Sequence, residues 1–218
     1  MSDPGSSPDE LFDVYDGAGR PTGRAKRRAE VHRDGDWHRS FHCWITCEAG
    51  AVPALLLQRR GAFKDTWPNR LDVTVGGHFA AGETIQDMVR EVAEEIGCAA
   101  SLADLIPLGR RAYVGEQEPG VRDHELQEVY LWRRRARLES YRPRPVEVGA
   151  LVEAPLPDLL RLFAGEADRI TVRSLSAERR ISRGTITRDD FLPTLDQYFF
   201  RVATIVDMAI RGYPYLVV

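Results

Sequence analysis

The chain has 218 residues, 43% of them hydrophobic, and a formal net charge of −3. That suffices for one generous domain with a core, and it excludes the broad basic field of a nucleic-acid-binding surface, so no nucleic-acid partner is expected. No apolar run approaches the about 20 residues that cross a membrane, the opening MSDPGSSPDE has no secretory core, and Cys43, Cys47 and Cys98 lack disulfide or zinc spacing, so a cytoplasmic protein is expected.

Residues 1–9 read as a flexible tail. Leu11 to Asp16 predicts a first strand, closed by a turn at Gly17-Ala18-Gly19. Arg39 to Cys47 and Pro53 to Gln58 predict two strands around a turn at Glu48-Ala49-Gly50. A short strand follows at Leu71 to Val75, then a helix from Thr84 to Ile96 that stops at Gly97. Leu105 to Val114 and Leu126 to Arg135 predict further strands, joined by a loop over Gly115 to Asp123. Pro157 to Phe163 predicts a helix. Asp189 to Arg211 carries Phe191, Leu195, Phe199, Val202, Ile205, Val206 and Ala209 at helical spacing, suited to core packing or a dimer contact. Strands, a helix, more strands and a terminal helix suggest an α/β fold with a mixed sheet between helices. Residues 10–218 are expected to form a single domain, with about 176–218 as a helical extension, in a monomer or homodimer.

The most informative stretch runs from Gly76 to Gly97. Glu91, Glu94 and Glu95 stand at i, i+3 and i+4, on one face of the predicted helix. Like charges so placed repel, and a hard divalent cation among them resolves the repulsion. The plain alternative is a solvated acidic face. Arg90 can pair with Glu83 or Glu91 and brace the site.

This stretch resembles the Nudix box: Gly77, Glu83 and the whole run REVAEEIGC match the family pattern. Six residues, Thr84 to Val89, separate Glu83 from Arg90, one fewer than in the family. A one-residue change redirects a helical side chain by about 100°, so either Glu83 points elsewhere or the loop before the helix absorbs the difference. The resemblance implies a Nudix-type α/β/α sandwich and a diphosphohydrolase. It implies that Glu91, Glu94, Glu95 and the Gly76 carbonyl hold Mg²⁺ or Mn²⁺, that Arg90 braces them, and that a later carboxylate serves as base or ligand. Glu125 is the first candidate for that last role, with Glu128, Glu116 and Glu118 behind it. Arg59, Arg60 and Lys64 occupy the position that meets the diphosphate, where the arginine fork suits phosphate.

A second resemblance rests on Leu11-Phe12-Asp13-Val14, EVHRDGDWHRSFHC from Glu30 to Cys43, Leu55 to Arg60, Trp67-Pro68 and Gly77-His78. Together these resemble the Nudix branch related to isopentenyl-diphosphate isomerase. That kinship implies a second metal site at His32, His38, His78, Asp123 and Glu125. The isomerase also needs a cysteine immediately before the Gly-His pair, and Gly76 stands there. The expected activity is therefore metal-dependent hydrolysis of a nucleoside di- or triphosphate, or of another small diphosphate-linked metabolite. An isomerase and a non-catalytic nucleotide-binding module are the alternatives.

Overall fold

The computed structural model describes residues 9–64, 66–118, 121–145 and 147–218. Within them run β1 (Leu11–Tyr15), β2 (Pro21–Arg27), α1 (Arg28–Asp34), β3 (Trp37–Cys47), β4 (Ala54–Arg60), β5 (Leu71–Asp72), β6 (Val75–His78), α2 (Ile85–Met88) and α3 (Arg90–Ile96). Then follow β7 (Ile106–Glu118), β8 (Val121–Trp132), β9 (Val148–Pro155), α4 (Leu156–Ala164), β10 (Ile170–Ser176), β11 (Ile181–Ile186) and α5 (Tyr198–Ile210).

The strands join one mixed sheet in which β3 is the hub. It pairs with β8 in parallel from Trp37 to Ile45, and with β6 and β4 antiparallel. Successive residues of a strand point to opposite faces, and the apolar residues sort accordingly. Cys43, Ile45, Cys47, Ala54 and Leu56 pack with Met88, Val92 and Ile96 under α2 and α3. Trp44, Leu55, Leu57, Val129 and Leu131 pack with Leu159, Phe199, Val202 and Val206 under α4 and α5. Two cores on two faces of one sheet give the sandwich that the order of elements suggests.

β3 changes partner between Cys43, which still faces Val75 of β6, and Ile45, which faces Leu56 of β4. Thr74 bridges the fork: its hydroxyl donates to the Leu56 carbonyl and accepts from the Ile45 N–H at 3.0 Å. Beyond this point β4 and β6 part, and the main cleft opens between them.

Several expectations need correction. The predicted helix from Thr84 to Ile96 is two short helices with a break at Val89, where the Val92 N–H reaches the Val89 carbonyl at 3.3 Å, a tightened turn. Val89 itself keeps right-handed helical dihedrals, φ −63° and ψ −24°, so the chain continues in the same sense through the turn. The terminal helix begins only at Tyr198. Pro193 has no N–H to donate and pushes Leu192 out of the helical region, and Gln197 is left-handed with φ 54°. The last region also contains β11, paired along β10 at the sheet's edge, so it is not purely helical. The predicted loop over Gly115 to Asp123 is mostly hairpin, since β7 extends to Glu118 and β8 starts at Val121. Of the expected tail, residues 1–8 lie outside the described residues. No helix among the described residues is long and apolar enough to cross a membrane.

Candidate active site

The cleft, about 230 Å³ in volume, is lined from α3 by Glu91 and Glu95, from β6 by Gly76, Gly77 and His78, and from β4 by Gln58 and Arg60. Gly77 lies beneath both helices: a Cβ there would make ordinary van der Waals contact with Met88 Cε of α2 at 3.4 Å and Glu91 Cγ of α3 at 4.0 Å. Glu95 is buried and accepts a hydrogen bond from Gln58 Nε2 at 3.0 Å. Burial pushes its carboxyl well above the usual range, helped by the charges of Glu147 and Glu91 and opposed by Lys64. Burial likewise raises Glu91, to about 7, with Glu94 adding to the effect. Desolvated like charges of this kind are a fitting environment for a divalent ion.

The sequence candidates separate here. Glu94 is exposed at the rim, 3.6 Å from Arg90, and does not line the cleft. Arg90 also holds Glu83 at 2.6 Å, so Glu83 keeps its partner despite the short box. Arg60 and Lys64 line the cleft, Arg60 being tied to Asp72 at 3.0 Å. Arg59 turns away instead, donating to the Asn69 carbonyl at 2.8 Å. Glu147, which sequence reasoning overlooked, completes the acidic wall. Among the rival late carboxylates, Glu128 pairs with Arg39 at 2.9 Å and Arg110 at 3.1 Å away from the cleft, Glu116 is exposed, and the Glu118 side chain lies outside the described residues.

The second cluster follows from strand periodicity. Asp123, Glu125 and Gln127 alternate along one face of β8, and His38, Ser40 and His42 along the matching face of β3. In register His38 faces Glu125 and Ser40 faces Gln127, while His78 of β6 lies opposite Ser40. His32 arrives from α1. Each of His32, His38, His78 and Asp123 offers a ligand atom within 4.8 Å of the others. The ring centroids of His38 lie 5.1 Å from His32 and 5.0 Å from His78, and Phe12 stacks on His38 and His78.

His38 Nδ1 donates to the Asp36 carbonyl at 3.0 Å, which leaves its Nε2 lone pair facing the cluster. The buried Nε2 atoms of His32 and His38 have no hydrogen-bond partner among the described residues, and a cation would supply one. Burial lowers His38 to about 4 and His32 to about 2, so both rings are neutral near pH 7, the form that ligates. Glu125 accepts from Ser40 Oγ at 2.5 Å and Gln127 Nε2 at 2.8 Å, with His78 Nε2 at 3.4 Å. Burial alone would raise its carboxyl, but the His78 hydrogen bond and the imidazoles of His78, His38 and His42 hold it well below the usual range. Asp123 beside it is pushed up by burial and by the Glu125 charge. The donor set, imidazoles with carboxylates, suits a divalent transition ion. Glu125 thus lies beside the histidine cluster, bonded to His78, and lines the same cleft as Glu91 and Glu95.

Gly76 carries a further constraint. An added Cβ would sit 2.9 Å from Val73 Cγ1, so a cysteine could enter only if that neighbour shifted.

The NUDIX domain family profile matches residues 36–173. An uncharacterized Nudix hydrolase of Clostridium acetobutylicum is 33% identical over 198 residues, covering 88% of this chain and 94% of that one. An isopentenyl-diphosphate Delta-isomerase of Brevibacterium linens is 33% identical over 142 residues, covering 64% and 73% of the two chains. A crystal structure from Deinococcus radiodurans shares the fold at TM-score 0.52 and 22% identity, over 72% of this chain and 90% of that one. The chain belongs to the Nudix family, as a hydrolase acting on pyrophosphate bonds.

Proposed function

We propose that the protein is a divalent-metal-dependent diphosphohydrolase whose substrate is a nucleoside di- or triphosphate or another diphosphate-linked metabolite. The observation that carries this reading is the convergence of Glu91, Glu95 and Glu147 on a cleft that Arg60 and Lys64 also line. Arg60 and Lys64 provide positive charge for a diphosphate. Glu95, Glu147 and the Gly76 carbonyl, with Glu94 at the rim, would hold Mg²⁺ or Mn²⁺, which when bound polarises phosphoryl oxygens and eases deprotonation of water. Glu91, raised to about 7, is placed to take a proton from attacking water near neutral pH. The histidine cluster would hold a second ion. Beside the cleft lies a hollow of about 440 Å³ walled by Trp67, Phe163, Phe191, Phe199 and Phe200, space for the organic group of the substrate. In this reading the protein works in the cytoplasm on a small-molecule diphosphate.

Isomerase relatives give the second reading. Gly76 in place of the thiol counts against it, because proton transfer to and from carbon needs a placed acid and base. A panel of nucleotide and prenyl diphosphates, assayed with and without Mg²⁺ or Mn²⁺, tests both. Metal-dependent release of phosphate or monophosphate, lost in Glu95→Gln, is the expected result. Unchanged turnover in that variant overturns the assignment, and conversion of isopentenyl diphosphate would favour the isomerase.

A further inference from the structure

A continuous row of polar side chains, buried from Arg111 inward, crosses the sheet toward the histidine cluster, and it begins at half-buried Asp196, outside the span matched by the family profile. Asp196 lies in the irregular segment between β11 and α5. This segment crosses the mouth of the cleft: at one end the Leu192 N–H donates to the Leu71 carbonyl at 3.1 Å, and Phe191 bridges to Leu71. At the other end Asp196 takes the Arg111 guanidinium in a two-pronged grip, Nε to Oδ2 at 2.7 Å and Nη2 to Oδ1 at 2.8 Å. Arg111 is 7% exposed and lies over the Tyr198 ring at 4.1 Å. A guanidinium so deep requires an anionic partner.

Arg111 of β7 stands directly opposite Gln127 of β8, and Gln127 opposite Ser40 of β3. Arg111 Nη1 donates to Gln127 Oε1. An arginine can only donate, so Gln127 must turn its oxygen toward it and its amide nitrogen toward Glu125. That nitrogen then donates to Glu125 Oε2 at 2.8 Å, leaving Oε1 directed at His78. Reversed, Gln127 would set an oxygen against the Glu125 carboxylate. The orientation of this acid therefore depends on a chain of donors whose far end is Asp196.

We propose that Asp196 is a positioning residue that acts through Arg111 and Gln127 to fix the Glu125 carboxylate for a divalent cation at the His32, His38, His78, Asp123 cluster. The inference rests on reading that cluster as a cation site. It makes the C-terminal segment a working part of the metal centre as well as a wall of the cleft.

The test is calorimetric titration of chelator-treated full-length protein with Mn²⁺, following the binding event that His38→Ala removes. Asp196→Asn should weaken that event about tenfold, the usual effect of losing an outer partner of a ligand, and Asp196→Glu should recover most of the loss. Gln127→Leu should cost a similar factor, and the double variant should be no weaker than the weaker single one, because both break the same chain. Should Asp196→Asn fail to fold, Arg111→Lys keeps the charge without the fork and should show the same loss. Wild-type affinity in a folded Asp196→Asn or Arg111→Lys protein, or losses that multiply in the double variant, would overturn the proposal. A wild-type titration identical to that of His38→Ala would overturn the cation site itself, and the proposal with it.

Discussion

Arg90 holds Glu83 at 2.6 Å across the helix break at Val89, joining the loop side of the box to its helix side. Glu83 also accepts the Ala80 N–H at 2.8 Å. Glu83→Ala should therefore loosen the loop as well as remove an ion pair. Because Arg90 is half exposed, the pair itself contributes little, and a total loss of about 1 kcal/mol is expected. Denaturant unfolding measures that loss, with turnover falling while the circular dichroism spectrum is unchanged.

Glu94 and Glu95 are neighbours with opposite surroundings, one at the rim and the other buried on Gln58. On the proposed reading, replacing the exposed one removes a ligand that solvent can partly substitute. Glu94→Gln should raise the metal concentration for half-maximal activity about tenfold, with recovery at saturating metal. Glu95→Gln should show no such recovery. Metal titrations of turnover in the two variants distinguish these outcomes, and equal behaviour would contradict the division of the acidic wall.

Glu91 makes a pH-dependent contribution whose sign is fixed. Its carboxyl titrates near 7 in the folded chain and near 4.5 when unfolded, so the folded state binds the proton more tightly. The associated stability is fully present below about pH 4.5 and is lost as pH rises through about 7. In chelator, wild type should lose of order 1–3 kcal/mol relative to Glu91→Gln between pH 5 and 8. Unfolding curves for both proteins at each pH give this difference, and Mg²⁺ should shrink it by favouring the ionised form.

Gly76→Ala should destabilise the protein by about 1–3 kcal/mol, the common range for overpacking, because its Cβ would meet Val73 Cγ1 at 2.9 Å. Trimming the neighbour with Val73→Ala should recover part of that loss in the double variant, read from paired melting curves. Strict additivity would show that the strain lies elsewhere.

The sandwich was legible because the order of strands and helices and the box both survive in the linear chain. His32, His38, His78, Asp123 and Glu125 were legible as a set only through kinship, and the structure gathers them. Gln127 carried an unused signal: it continues the two-residue polar alternation of Asp123 and Glu125. Arg111 and Glu147 carried none, since their roles arise from strand register and from chain return across the cleft. The terminal helix was overread because apolar spacing continues past Pro193, whereas Phe191 and Leu192 spend their side chains on Leu71 and its surroundings. The direction of Glu83 stays open in the sequence because the turn at Val89, which divides the helix, leaves no mark in the spacing.

The alternation on β8 has one more implication. Asp123, Glu125 and Gln127 share their face with Val129 and Leu131, which fill the core under α5. Slipping this strand by a single residue would turn all five to the opposite face of the sheet at once. Misfolded copies of that kind would be greasy where they should be wet and inert where they should react, so chemistry and foldability here stand or fall together.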